Sequence, residues 1–248
     1  MNSFISWVGG KKLLRKEICN MIPDKIDRYI EVFGGAGWVL FNKERHASIE
    51  IYNDYNSELV NLFRCAKFHT PELQRELKYI LNSREVFQNF REEYQAKGLT
   101  DIQRAVRFLM IVKTSYGSKT TTFGGKPTNL NNLPEYLELV SERLSRVAIE
   151  NKDFEDLIIS QDREKSLFYL DPPYYETENY YKNVEFKRED HERLYNCIRN
   201  IKGKFILSYN DCEYIRELYK DYCIKEVSRF NNLSFKVKEF KELIITNY

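Results

Sequence analysis

The residues best suited to chemistry stand together at Asp171-Pro172-Pro173-Tyr174, directly after the apolar run Leu167-Phe168-Tyr169-Leu170. A short apolar run reads as a buried strand, and two prolines end it at once because neither has an N–H to give a ladder. Asp171 therefore belongs at the carboxyl end of a strand, where open α/β sheets place their ligands. The stiff loop offers one carboxylate, the fixed carbonyl of Pro172 and the flat ring of Tyr174. That set suits gripping an amino group on a planar base from its edge and its face. In isolation the tetrapeptide is also compatible with a plain proline turn, so its company decides.

Gly34-Gly35-Ala36-Gly37 follows the run Tyr29-Ile30-Glu31-Val32-Phe33. Nucleotide-binding folds need glycines there, where the turn is tight and the ligand passes close to the backbone. The pattern is not G-x-G-x-x-G, and a simple strand-to-helix turn stays open. Asp54 stands at the end of a second strand, where an acid binds ribose hydroxyls. An acid there repels a 2′-phosphate, and nothing nearby offers a pyrophosphate a basic cradle. A nucleoside ligand fits better than a dinucleotide.

Charge adds a second site. The net charge of +2 is too small to announce a nucleic-acid partner, but its distribution says more. No Asp or Glu occurs at positions 102–134, while Arg104, Arg107, Lys113, Lys119 and Lys126 fall there. A local positive field of this kind is the footprint expected where a polyanion is held.

Such residues need strands that end on one side. Leu14, Ile18, Met21 and Ile22 have helical spacing, predicting a helix from about Lys11 that stops before Pro23. Residues 29–33 and 48–53 predict two strands, followed by a helix with Leu59, Leu62, Phe63 and Ala66 on one face. Residues from about 71 to 146 read as mostly helical, interrupted at 115–132 by a stretch rich in Gly, Ser, Thr and Asn. Strand-like runs return at 147–150, 167–170, 205–209, 224–228 and 243–247. Alternating strands and helices predict an α/β fold with a mainly parallel sheet covered on both faces. The helical block after the second strand is too long for a crossover, so residues 70–146 read as an insertion between 1–69 and 147–248.

Composition narrows the class. With 248 residues and 42% hydrophobic content, the chain can bury a sizeable core. No apolar stretch approaches the ~20 residues of a membrane span, and the first residues lack a signal-peptide pattern. Five cysteines form no C-x-x-C pair, and three isolated histidines offer no metal-ligand spacing. A reduced, cytoplasmic, metal-free protein is expected.

Two further segments complete a pattern. Trp7-Val8-Gly9-Gly10-Lys11 opens the first helix, and Asn151-Lys152-Asp153-Phe154 follows the third strand. The order is Trp-x-Gly-Gly-Lys, glycine loop, strand-two acid, insertion, Asp-Phe, then Asp-Pro-Pro-Tyr. Over nearly the whole chain it resembles the adenine-specific, Dam-type DNA methyltransferases. Asp190-His191, Leu207-Ser208-Tyr209-Asn210 and Glu242-Leu243-Ile244-Ile245-Thr246-Asn247-Tyr248 continue the likeness more loosely.

The resemblance implies a Rossmann-like class I S-adenosylmethionine-dependent methyltransferase sheet. Residues 70–146 would be a mostly helical DNA-recognition domain with a hairpin around 115–128. Double-stranded DNA would be the partner and S-adenosylmethionine the cofactor, with no membrane and no metal. Trp7 and Lys11 would line the cofactor pocket, and Phe33 with Gly34, Gly35, Ala36 and Gly37 would pass its methionine end. Asp54 would take the ribose hydroxyls, and Asp153 with Phe154 the cofactor adenine. Asp171 would lie near the methyl group and, with the Pro172 carbonyl, accept from N6 of a flipped adenine on which Tyr174 stacks. Tyr116, Ser118, Lys119, Thr122 and Lys126 resemble part of the β-hairpin that such enzymes insert at their target, and Arg107 would assist. The family's recognition residues are not matched closely, so GATC and a relaxed motif both stay open.

Other readings fit less well. A non-catalytic nucleic-acid-binding module has no need of an intact Asp171–Tyr174 group. Methylation of cytosine N4, of RNA or of glutamine uses related geometry. Glutamine enzymes usually carry Asn in place of Asp171, however, and the motif order favours N6-adenine over N4-cytosine. A nicotinamide oxidoreductase would need spaced glycines. Whether a restriction nuclease accompanies the enzyme is not written in these residues.

Overall fold

Apolar residues fill both faces of the central strands, and alternate positions sort into two layers. The computed structural model describes residues 1–94, 96–125, 132–178, 186–231 and 238–248. The strands are β1 (Arg28–Glu31), β2 (Ile49–Asn53), β3 (Val147–Glu150), β4 (Ser166–Leu170), β5 (Lys204–Asn210), β6 (Cys223–Asn231) and β7 (Lys238–Thr246). They form one sheet in the order β3-β2-β1-β4-β5-β7-β6. β1 to β5 run parallel, and β7 enters antiparallel between β5 and β6. This is the expected Rossmann-like α/β sheet.

Tyr29, Tyr52, Leu167, Tyr169 and Ile206 face one core, shared with α1 (Arg15–Met21) and α2 (Ser57–Phe68). Their strand neighbours Ile30, Ile51, Phe168, Leu170 and Leu207 face a second core. That core is closed by α7 (Phe154–Gln161), α8 (Arg188–Ile198) and α9 (Glu213–Leu218). The period-two sorting is what a strand buried on both faces produces. Residues of α3 (Thr70–Lys78), α5 (Asp101–Thr114) and α6 (Leu133–Leu144), among them Leu73, Leu109 and Leu137, lie in the same core as Tyr29 and Tyr52. Segment 70–146 thus packs on the sheet layer through α2 and through α6, whose Arg143 pairs with Glu50 of β2, while α4 (Arg84–Glu93) packs on α5.

Element ends differ from the sequence expectation for local reasons. The first helix begins at Arg15, not near Lys11. Gly9 sits at φ +76°, and the Lys11 ammonium donates back to the Gly9 carbonyl at 3.0 Å, so this stretch is a turn. β1 stops at Glu31 because the Gly34 N–H turns aside to the Asn53 carbonyl, 2.7 Å away. β6 and β7 extend beyond the expected runs through polar residues, whose pairing the apolar pattern does not mark.

Candidate active site

β1 and β4 are neighbours where the strand order reverses, so the crevice at their carboxyl ends is the topological switch point of the sheet. Asp171 is the first residue past β4. Its Oδ1 accepts from the Lys11 ammonium at 2.7 Å and from the Ser208 hydroxyl at 3.1 Å, and its Oδ2 accepts from Lys11 at 2.9 Å. Burial raises the Asp171 carboxyl above its usual range, while Lys11 pulls it back. The same ammonium lies 3.8 Å from Glu242 and 4.7 Å from the ring centroid of Tyr174. Tyr174 donates its phenol proton to Glu242 Oε2 at 2.7 Å. β5 grips the loop further along, where the Asn210 side chain bonds both the N–H and the carbonyl of Tyr175. A proline-stiffened loop is thus held by side chains from the amino-terminal turn, β5 and β7.

Glu31, at the end of β1, faces the same cleft. Tyr29 and the Leu40 N–H both donate to its Oε2 at 2.8 Å. Burial still pushes this carboxyl up to about 8, which favours its neutral form at pH 7. The charged groups that remain, Lys11, Asp171 and Glu242, sum to one formal negative charge.

The glycine turn forms the opposite wall. Gly35 and Gly37 adopt φ +51° and +67°, a region costly to other residues. A Cβ on Gly34 would lie 2.3 Å from the Tyr52 ring, so only glycine fits against that tyrosine. Asp54 fastens the turn to β2, accepting from the N–H of Gly35 and of Asn56, each at 2.8 Å. Burial lifts this carboxyl to about 6. Each oxygen has a lone pair beyond its one N–H bond. Trp7, Gly34, Gly35, Ala36, Asp54 and Asp171 line this one cleft, with Phe33 and Tyr55 at its side. Phe33 and Tyr55 also border an adjoining cleft with Asp153, Phe154 and Phe186. There the Phe33 and Phe154 rings lie 5.6 Å apart, with Phe186 edge-on to Phe33. Asp153 caps α7 through the Glu155 N–H and pairs with Arg193 at 2.6 Å.

A family model of the D12 class N6 adenine-specific DNA methyltransferases matches residues 7–233. The chain belongs to that family. It methylates adenine in DNA, and S-adenosylmethionine is its methyl donor. The type II methyltransferase M1.LlaDCHI of Lactococcus lactis subsp. cremoris is 28% identical over 100% of this chain and 96% of its own length. The type II methyltransferase M.CviBI of Paramecium bursaria Chlorella virus NC1A is 26% identical, with both chains covered in full. A DNA adenine methylase of Haemophilus influenzae is 27% identical over 95% of this chain and 91% of that one.

For a D12 methyltransferase the donor set of the two clefts is apt. Asp54 offers acceptors to hydroxyls, Phe33, Phe154 and Phe186 offer flat apolar rings, and the glycine turn leaves room for close approach. The sequence expectation assigns no role to Glu31, Ser208, Asn210 or Glu242. A signal exists for one of them: Glu31 is an acid between the apolar strand residues Ile30 and Val32, whereas Glu242 follows Lys241. Among the described residues no cluster of His, Cys, Asp and Glu could hold a metal, and no helix is long and apolar enough to cross a membrane.

The DNA-facing expectation resolves unevenly. Residues 115 and 123 form one antiparallel bridge, flanked by bonds from Tyr116 N–H to Thr122 and from Gly124 N–H to Thr114, both 2.7 Å. Within this turn Tyr116, Lys119 and Thr122 are exposed, and Ser118 and Thr120 take left-handed φ of 59° and 60°. Phe123 docks on α4, 5.6 Å from the Phe87 ring and under Arg84. Lys126 lies outside the described residues. The positive field is narrower than the acid-free window suggests, because acids elsewhere in the chain fold onto it. Arg104 pairs with Glu58 and Asp101, Arg107 pairs with Glu93 at 3.3 Å, and burial lowers the Lys113 pKa.

Proposed function

We propose that Asp171, Pro172 and Tyr174 hold the target adenine, extruded from duplex DNA, while the cleft between Trp7, the glycine turn and Asp54 holds the methyl donor. One observation carries this reading: Asp171 and Asp54 line a single cleft at the switch point. When bound, S-adenosylmethionine supplies an electrophilic methyl group on a sulfonium. Lys11, Phe33, Gly34, Gly35, Ala36, Gly37 and Asp54 would hold its amino-acid and ribose parts, and Asp153 and Phe154 its adenine.

The residues at the target nitrogen act by position and charge. The N6 lone pair of adenine is delocalised into the ring, so the amino group is a poor nucleophile. Asp171 Oδ2 has acceptor capacity beyond its bond from Lys11, and the Pro172 carbonyl is a second acceptor. Accepting from both N–H groups favours a pyramidal nitrogen with its lone pair free to attack. The net negative cluster of Lys11, Asp171 and Glu242 stabilises positive charge as it develops on that nitrogen. Asp171 serves as an acceptor, and the proton leaves to water after transfer. Stacking on Tyr174 offsets the few kcal/mol spent in unstacking the base.

Segment 70–146 acts as the target-recognition region, with Tyr116, Ser118, Lys119, Thr122, Lys126 and Arg107 toward DNA, and the enzyme works in the cytoplasm. The test is methylation sequencing of DNA from cells expressing the parent chain or Asp171→Ala. N6-methyladenine at one short motif is expected for the parent, with loss on the order of a hundredfold or more in the variant at an unchanged melting temperature. A folded Asp171→Ala chain retaining activity within about tenfold, ~1.4 kcal/mol, would remove Asp171 from this role.

A further inference from the structure

Glu242 is a carboxylate in a strand that otherwise turns apolar, with Leu243, Ile244 and Ile245 fully buried beside it. It is 2% exposed and sits opposite Asn210 of β5. A charge so placed costs several kcal/mol unless it is paired and hydrogen-bonded. Its partners lie in the active site: the Tyr174 phenol at 2.7 Å and the Lys11 ammonium at 3.8 Å.

The geometry divides the control of Tyr174 between these two groups. A base stacks on phenylalanine as well as on tyrosine, so the hydroxyl has a separate task. The phenol oxygen lies on the axis about which the ring spins. A hydrogen bond to it therefore fixes where the ring points and leaves the ring plane free. The Lys11 ammonium, near the ring centroid, favours one plane because the attraction acts on the face. Glu242 is bonded to the first group and paired with the second.

We propose that Glu242 is a positioning residue for methyl transfer, anchoring the axis of Tyr174 through its phenol. This rests on Tyr174 being the residue that stacks on the target base.

The experiment uses the full chain, S-adenosylmethionine and a duplex with the motif found by methylation sequencing. A second duplex carries 2-aminopurine in place of the target adenine, whose emission is quenched by stacking. Tyr174→Phe and Glu242→Leu are each expected to lower kcat at least fivefold, with KM for DNA changed less than twofold and emission of the complex raised. The double variant should be no worse than the weaker single variant by more than twofold, since both break one link. Glu242→Gln, whose amide oxygen still accepts from the phenol, should keep the parent emission. Multiplicative losses in the double variant, or a Tyr174→Phe chain with parent kcat and emission, would overturn the proposal. Because Tyr174→Phe leaves Glu242 and the apolar packing in place, it decides the matter even where Glu242→Leu does not fold. Tyr174→Ala separates the two levels. Its loss beside a normal Tyr174→Phe defeats the Glu242 link alone, whereas a fully active Tyr174→Ala defeats the stacking role and the link with it.

Discussion

The strand-end cluster and the loop after α5 are built in opposite ways. Around Asp171 the bonds join residues far apart in the chain, 160 positions from Lys11 to Asp171 and 68 from Tyr174 to Glu242, and Lys11, Ser208 and Glu242 are buried. Among the described residues the backbone bonds of the loop 115–124 stay within ten positions, the side chains of Tyr116 and Lys119 are exposed, and two non-glycine residues take left-handed φ. Long-range buried bonds fix a geometry that chemistry requires to a fraction of an ångström. Local bonds fix only the loop itself, so its residues can change without disturbing the pocket.

The sharpest way to break this contrast is Lys11→Met. Removing the cation leaves Asp171 and Glu242 buried without it, and losing one partner of a buried pair costs about 3–5 kcal/mol. Urea unfolding should show that loss at pH 7, shrinking at low pH as the carboxylates take up protons. A loss under about 1 kcal/mol would mean the cluster is solvated like a surface pair.

Glu31 gives a smaller effect with a defined sign. Its proton is held in the folded chain up to about pH 8 but is lost near pH 4.5 when unfolded. The folded chain binds more protons across that window, so stability falls as pH rises through it. Glu31→Gln should flatten this part of the melting-temperature profile. Parallel profiles for the two chains would show that Glu31 is ionised in place.

The loop should respond on a different axis. Lys119→Ala is expected to leave unfolding within ±0.5 kcal/mol. Its DNA affinity should fall across all sequences, with the slope of log affinity against log salt reduced by about 0.9. An unchanged slope would place the phosphate contacts on other residues.

Much of the pocket was legible because its residue types have few other reasons to stand where they do. Two prolines after an apolar strand, a glycine turn against Tyr52 and an acid at a strand end are local patterns with local causes. The turn before α1 was hidden because Lys11 bonds at once to the nearby Gly9 carbonyl and to Asp171, far along the chain. Glu31 could be noticed as an acid in an apolar strand, Glu242 could not, and the partners of both follow from the sheet order, which no short window contains. The charged window at 102–134 is narrower in the fold for the same reason, since Glu58 and Glu93 reach Arg104 and Arg107 only after folding.

The place of β7 has a consequence in time. Glu242 reaches Tyr174 only after β7 has inserted between β5 and β6, and β7 is made after every other strand of the sheet. On a ribosome the glycine turn, Asp54 and Asp171 emerge first, with Tyr174 still without its anchor. A chain interrupted before residue 242 could hold the donor side of the cleft but would leave Tyr174 unaligned. On the proposal above, methyl transfer reaches its full rate only after β7 has been made and inserted.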